Sequence, residues 1–145
     1  MINEYYRFLP TKSNKQFFFE SEGRQGKVIK IVIFSDVGNG RYNLGFGDWH
    51  KGKLDDSIIT NNYDVALVMQ TIAKIVYVFF EHNPQCIIEI SPVDEKRKRL
   101  YNLIFQRHIN NIDTNFQLVG FIGKEAEIYS STKMYDYFEL KLKSK

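Results

Sequence analysis

From Val65 to Glu81 the chain is apolar almost all round, interrupted by Gln70, Thr71 and Lys74. A helix of that kind is buried on most of its sides. It is shorter than the ~20 residues a membrane span needs, so it belongs inside a soluble domain with strands for it to cover. Asn61 or Asn62 is placed to cap it, and Asp64 in its first turn complements the helix dipole. His82-Asn83-Pro84 ends it.

Strands are legible on both sides of this helix. Gln16 to Glu22 is aromatic-rich, and Gly23-Arg24-Gln25-Gly26 reads as a hairpin turn. Lys27 to Phe34 is β-branched almost throughout, broken only by Lys30, as in a central strand covered on both faces. After a turn at Asp36 to Gly40, Tyr42, Leu44 and Phe46 alternate with Asn43, Gly45 and Gly47. Trp49 to Thr60 reads as an irregular loop, long for a compact domain. Gln85 to Ile90 is a short buried strand. Ser91-Pro92-Val93-Asp94 then reads as a helix start, with a Ser cap, Pro at the first helical position and an acid at the capping-box position. That helix runs to about Ile109. Phe116–Phe121 and Tyr135–Lys143 are strands, with a short one near Glu125–Tyr129.

The order is βββαβαββ. It predicts an α+β domain whose mixed, mostly antiparallel sheet is packed by two main helices. The long helix makes a crossover, so the strand beginning near Cys86 is expected parallel to the one beginning at Arg41. One domain over 1–145 is expected, with 1–15 as a lead-in. The C-terminal strand is read as an edge, which leaves homodimerisation open.

Composition narrows the class. Hydrophobic residues are 43% and charged residues 26%, an ordinary globular balance that argues against disorder. The 15% of aromatics fits a bulky core better than a sticky surface. A net charge of +3 is too small to announce nucleic acid by itself. The lone Cys86 lies in an apolar run, forms no internal disulfide and reads as a buried, inert thiol. With no signal-peptide pattern at the N-terminus, the expectation is a soluble cytoplasmic protein without membrane contact.

Polar residues that the fold does not explain fall in a few places. Asp48, Asp55, Asp56 and Asp64 form an acidic set, but their spacing matches no calcium loop. His50, His82 and His108 have no metal-ligand spacing, and no metal is expected. On the second helix Val93, Arg97, Leu100, Tyr101, Ile104 and His108 share a face. An arginine in that stripe needs a partner. Either it ties Asp48 or Asp56 to the helix, or it binds an anionic ligand. Lys96, Arg97, Lys98 and Arg99 make a dense basic turn, which joins Arg107, Lys141, Lys143 and Lys145 as a candidate phosphate-tracking patch.

The element order and Asp94…Arg97…Leu100-Tyr101 resemble the GCN5-related N-acetyltransferase fold. The resemblance implies acetyl-CoA as cofactor and Tyr101 as the acid that protonates the departing thiolate. That family's glycine-bearing pyrophosphate loop has no counterpart before the Val65 helix, where Asp55-Asp56-Ser57-Ile58-Ile59-Thr60-Asn61-Asn62 stands. The implied coenzyme site is therefore degenerate. Tyr42 to Asp48, Asp55-Asp56, Asn61-Asn62 and Arg97 to Tyr101 together also resemble an uncharacterised family of small bacterial proteins, which implies no activity.

Three functions follow as expectations. The first is an interaction or ligand-binding module without catalysis, its site formed by Asp48, Asp55, Asp56, Asn61, Asn62, Arg97 and Arg99 around a protein or small-molecule partner. The second is an atypical acyl-CoA-dependent N-acyltransferase using Tyr101. The third is a nucleic-acid-associated bacterial protein of a toxin–antitoxin or defence system.

Overall fold

The computed structural model describes residues 5–24, 26–55, 64–109 and 115–143. Among these residues nine strands and two helices make an α+β chain with a mixed, mostly antiparallel sheet. The strands are β1 (Phe8–Pro10), β2 (Gln16–Gly23), β3 (Gly26–Gly38), β4 (Arg41–His50), β5 (Lys53–Asp55), β6 (Ile87–Ile90), β7 (Phe116–Ile122), β8 (Glu125–Ile128) and β9 (Tyr137–Leu142). The helices are α1 (Val65–His82) and α2 (Glu95–His108).

The chain divides into two compact units. The first comprises Met1–Ser35 and Gly45–His82, the second Asp36–Leu44 and Asn83–Lys145. In the first unit β1 pairs with β2, β2 with β3, and β5 with the end of β4, all antiparallel. Phe17, Phe19 and Ser21 alternate inward along β2, as Lys30, Val32 and Phe34 do along β3. The α1 residues Val68, Thr71, Ile75, Val76, Phe79 and Phe80 form one buried stripe at helical spacing. Phe34 stacks on Phe79 with ring centroids 4.0 Å apart, and Phe17 meets Phe34 edge-on.

In the second unit the first residues of β4 pair with β6 in parallel, Arg41 opposite Ile87 and Asn43 opposite Glu89. This is the relation that a helical crossover from β4 to β6 demands. β9 then pairs antiparallel with both β6 and β7, and β7 with β8. The core holds Ile88, Ile90, Phe105, Phe116, Leu118, Tyr135 and Phe138. Gly120 is there because no side chain fits: a Cβ would lie 2.4 Å from the Tyr135 ring.

Several expectations are corrected. The C-terminal strand is no edge, because β9 is hydrogen-bonded on both sides. The lead-in contributes a strand, β1. β3 runs through Asp36 to Gly38, and the turn is Asn39-Gly40, both at positive φ as the right-handed twist of a tight hairpin requires. The presumed loop after Trp49 begins as a second such hairpin at Lys51-Gly52, which leads into β5. Residues 56–63, including Asp56 and the proposed caps Asn61 and Asn62, lie outside the described residues. Ser91-Pro92 does not open α2. Asp94 does: its backbone is extended at φ −156° and its carboxylate accepts from the Arg97 N–H.

Candidate functional site

The expected site residues are held by different elements, and two of them, Asp48 and Arg97, are engaged in ion pairs. Asp48 lies near the end of β4 on the same side as Phe46. Its Oδ1 is 2.6 Å from Lys30 Nζ on β3, with Asp48 6% and Lys30 2% exposed. Lys30 Nζ also sits over the Phe46 ring. The residue that breaks the β-branched run is thus one half of a buried ion pair. Asp55 is placed opposite Asp48 in the β4–β5 register.

Asp64 directly precedes α1, and its carbonyl accepts from the Val68 N–H. Its carboxylate stands just ahead of the helix's first turn. It receives the hydroxyls of Tyr6, at 2.6 Å, and of the fully buried Ser21. The Tyr6 N–H donates to Thr71 Oγ1, whose hydroxyl donates to the Leu67 carbonyl. Burial first, and then the Asp64 carboxylate, push the Tyr6 phenol up.

Arg97 is 8% exposed, as its place in an apolar stripe suggested. Among the described residues its carboxylate partner is Asp94 in its own helix cap, at 2.6 Å; Asp56, one of its expected partners, lies outside the described residues. The pairing follows from the cap: Asp94 already turns its carboxylate to the Arg97 backbone N–H, and the guanidinium three residues on reaches its other oxygen. Arg97 Nε is buried without a hydrogen-bond partner among the described residues. Lys98 reaches Asp136 at 2.7 Å, and the same carboxylate accepts from the Gly123 N–H. The Lys98 hydrogen bond holds Asp136 below the usual carboxylate range, and the same bond raises Lys98. A shallow, open depression of about 350 Å³ borders this cap, lined by Pro92, Val93, Asp94, Glu95, Lys98 and Asp136.

The basic turn is therefore divided. Arg97 and Lys98 are drawn into ion pairs, while Lys96 and Arg99 are exposed. Val93 is exposed ahead of the helix instead of sharing its inward face, and Tyr101 is half-buried. Lys145 lies outside the described residues.

Other functional groups were missed. Asn102 is 1% exposed, and its amide pairs with a backbone as a strand would. Nδ2 donates to the Tyr135 carbonyl at 2.9 Å, and Oδ1 accepts from the Tyr135 N–H at 2.8 Å. The Tyr135 hydroxyl donates to Glu127, which also holds Lys133. Burial, first among several causes, pushes the Tyr135 phenol up, and the Lys133 hydrogen bond lowers Glu127. Arg41 on β4 bonds Glu139 on β9 and lies 4.0 Å from Glu89 on β6, so one side chain bridges three strands. The signal for Asn102 was a polar amide at i−3 from Phe105 on a helix facing a sheet.

Chemically, these clusters are networks of satisfied donors and carboxylates. Among the described residues no group of three His, Cys, Asp or Glu is placed to hold a metal ion. Burial raises the Cys86 thiol to about 11. No helix among the described residues is long and apolar enough to cross a membrane.

Comparison with known proteins adds a family and no activity. No curated protein and no solved structure matches the chain. A family model matches residues 2–143, nearly the full length, and its description is a family of unknown function (DUF6934). The chain belongs to that family.

Proposed function

We propose that this chain is a small binding module of the bacterial cytoplasm, without catalysis of its own. The observation that carries the reading is the fate of the two sharpest candidate groups. Asp48 is paired with Lys30 inside the fold, and the buried Arg97 is paired with the exposed Asp94 of its own helix cap. A carboxylate and a guanidinium held that way contribute to structure more than to a reacting centre. The ligand groups are then sought in two separate sets: Asp55, Asp56, Asn61 and Asn62 ahead of α1, and Arg99 on α2. The single cysteine, buried and kept as a thiol, supports a reducing compartment.

A second reading, an acyl-CoA-dependent N-acyltransferase, is favoured by one observation: the parallel β4–β6 pairing, followed by a helix that carries Leu100-Tyr101. Tyr101 would be its acid. Calorimetric titration with acetyl-CoA, together with a free-thiol assay in the presence of polyamines and peptide amines, separates the two. The binding-module reading expects no thiol release. Saturable acetyl-CoA binding with thiol release that falls in Tyr101→Phe would replace it with the acyltransferase.

A further inference from the structure

We infer that the solvent face of α2 is a docking ridge for the phosphate backbone of a nucleic-acid duplex. This names the partner of the binding module proposed above and rests on that reading.

The helix sorts its cations by face. Arg97 and Lys98 are held by Asp94 and Asp136. Lys96, Arg99 and Arg107 are exposed, at the three- and four-residue steps that bring side chains onto one stripe. Leu103, 40% exposed, stands between Arg99 and Arg107, four residues from each. Glu95 in the first turn is the helix's only acidic residue. Among the described residues no ion pair engages Lys96, Arg99 or Arg107.

The shape selects the occupant. From Lys96 to Arg107 the ridge extends about 16 Å at 1.5 Å per residue, on the convex side of a straight rod. A duplex presents one phosphate about every 3.4 Å along each strand, so a line of flexible cations meets a regularly repeated anion without needing a matched partner for each. The planar guanidinium forks of Arg99 and Arg107 suit phosphate oxygens. Leu103 supplies the apolar contact that a sugar ring takes. A duplex major groove, about 12 Å wide, admits a helix presented this way. No base-reading amide or acid lies on the stripe, so the contact is to the backbone and carries no sequence preference.

The test is fluorescence anisotropy of a short mixed-sequence DNA duplex with the full chain, from about 50 to 200 mM salt. Three phosphate contacts give a slope of log K on log salt of about −2.7. Arg99→Ala and Arg107→Ala each make it shallower by about 1. Lys96→Ala combined with both abolishes binding, Arg99→Lys keeps the slope, and Lys124→Ala in the β7–β8 turn leaves it unchanged. All four positions, Lys96, Arg99, Arg107 and Lys124, are exposed, and circular dichroism verifies native folding. No binding by the native wild type at the lowest salt, or equal binding by the triple variant, overturns the proposal. Polyglutamate binding with the same dependence on the ridge, without duplex binding, assigns the ridge to an acidic polypeptide and overturns it too. Thiol release measured on the same preparation reports separately on the binding-module reading.

Discussion

Lys30 Nζ and Asp48 Oδ1 are 2.6 Å apart on neighbouring strands, with almost no water on either side chain. Two charges withdrawn from solvent in this way depend on each other. Lys30→Met or Asp48→Leu alone leaves a buried charge without its nearest counter-charge and is expected to cost about 3–5 kcal/mol. The double variant recovers much of the loss, because two apolar groups of similar volume need no partner. Urea unfolding of the four proteins measures it. A double variant as unstable as the sum of the singles would remove the pair as the cause.

The Asn102 amide satisfies both backbone groups of Tyr135. Asn102→Ala bares a buried N–H and a buried C=O, each worth roughly 1–3 kcal/mol when left without a partner. The fold should weaken accordingly, and the Tyr135 amide proton should exchange faster in the variant than in the wild type. Unchanged exchange would mean that another group takes over.

Gly120 allows the Tyr135 ring to lie against the backbone of β7. Gly120→Ala is expected to destabilise by at least 1–3 kcal/mol, roughly the range for an overpacked core. In that background Tyr135→Leu should cost less than it does in the wild type, because a smaller side chain relieves the overlap. Additive losses in a double-mutant cycle would show that the two positions do not collide.

Asp136 titrates below its ordinary value of 3.8 because of Lys98, and Lys98 above its ordinary 10.5 because of Asp136. A depressed carboxylate adds stability above its unfolded pKa and loses it as pH falls through the folded value. A raised ammonium adds stability below its unfolded pKa and loses it as pH rises through the folded value. The stability gap between wild type and Asp136→Asn should therefore be flat between about pH 5 and 9, and shrink at both ends. A gap that grows as pH falls below 3.8 would contradict the pairing.

Cys86, with its thiol raised to about 11, stays protonated at neutral pH. Alkylation by iodoacetamide at pH 8 should be far slower in the native protein than in urea, since the thiolate is the reacting species. Equal rates would mean an accessible, ordinary thiol.

Periodicity and turn chemistry made the elements legible. The long run from Val65, the β-branched strand and the crossover logic all point to the parallel β4–β6 pairing. Long-range polar partnerships were not legible. Lys30 looked like a flaw in a strand because its counter-charge lies on the next strand, at a distance set by the Asn39-Gly40 hairpin. Arg97 was seen to need a partner, and the one it takes among the described residues lies three residues away in its own helix cap. Ser91-Pro92 carried the stronger start signal, yet Asp94 has the cap, because its carboxylate satisfies both the backbone and the guanidinium of Arg97. Of the candidate site, the exposure of Arg99 and the burial of Arg97 are described. Asp56, Asn61 and Asn62 fall outside the described residues.

The division of β4 has a consequence for synthesis. Residues Asp36–Leu44 belong to the second unit, whose remaining residues begin only at Asn83. During translation this short stretch leaves the ribosome long before β6, its parallel partner, and β9 follows later still. The edge of β4 that faces away from β3 therefore stays unmatched until β6 emerges, the state in which strands pair with the wrong neighbour. A deletion that stops at His82 would hold the chain there permanently. Fragments cut at that point are expected to aggregate rather than to behave as an independent half.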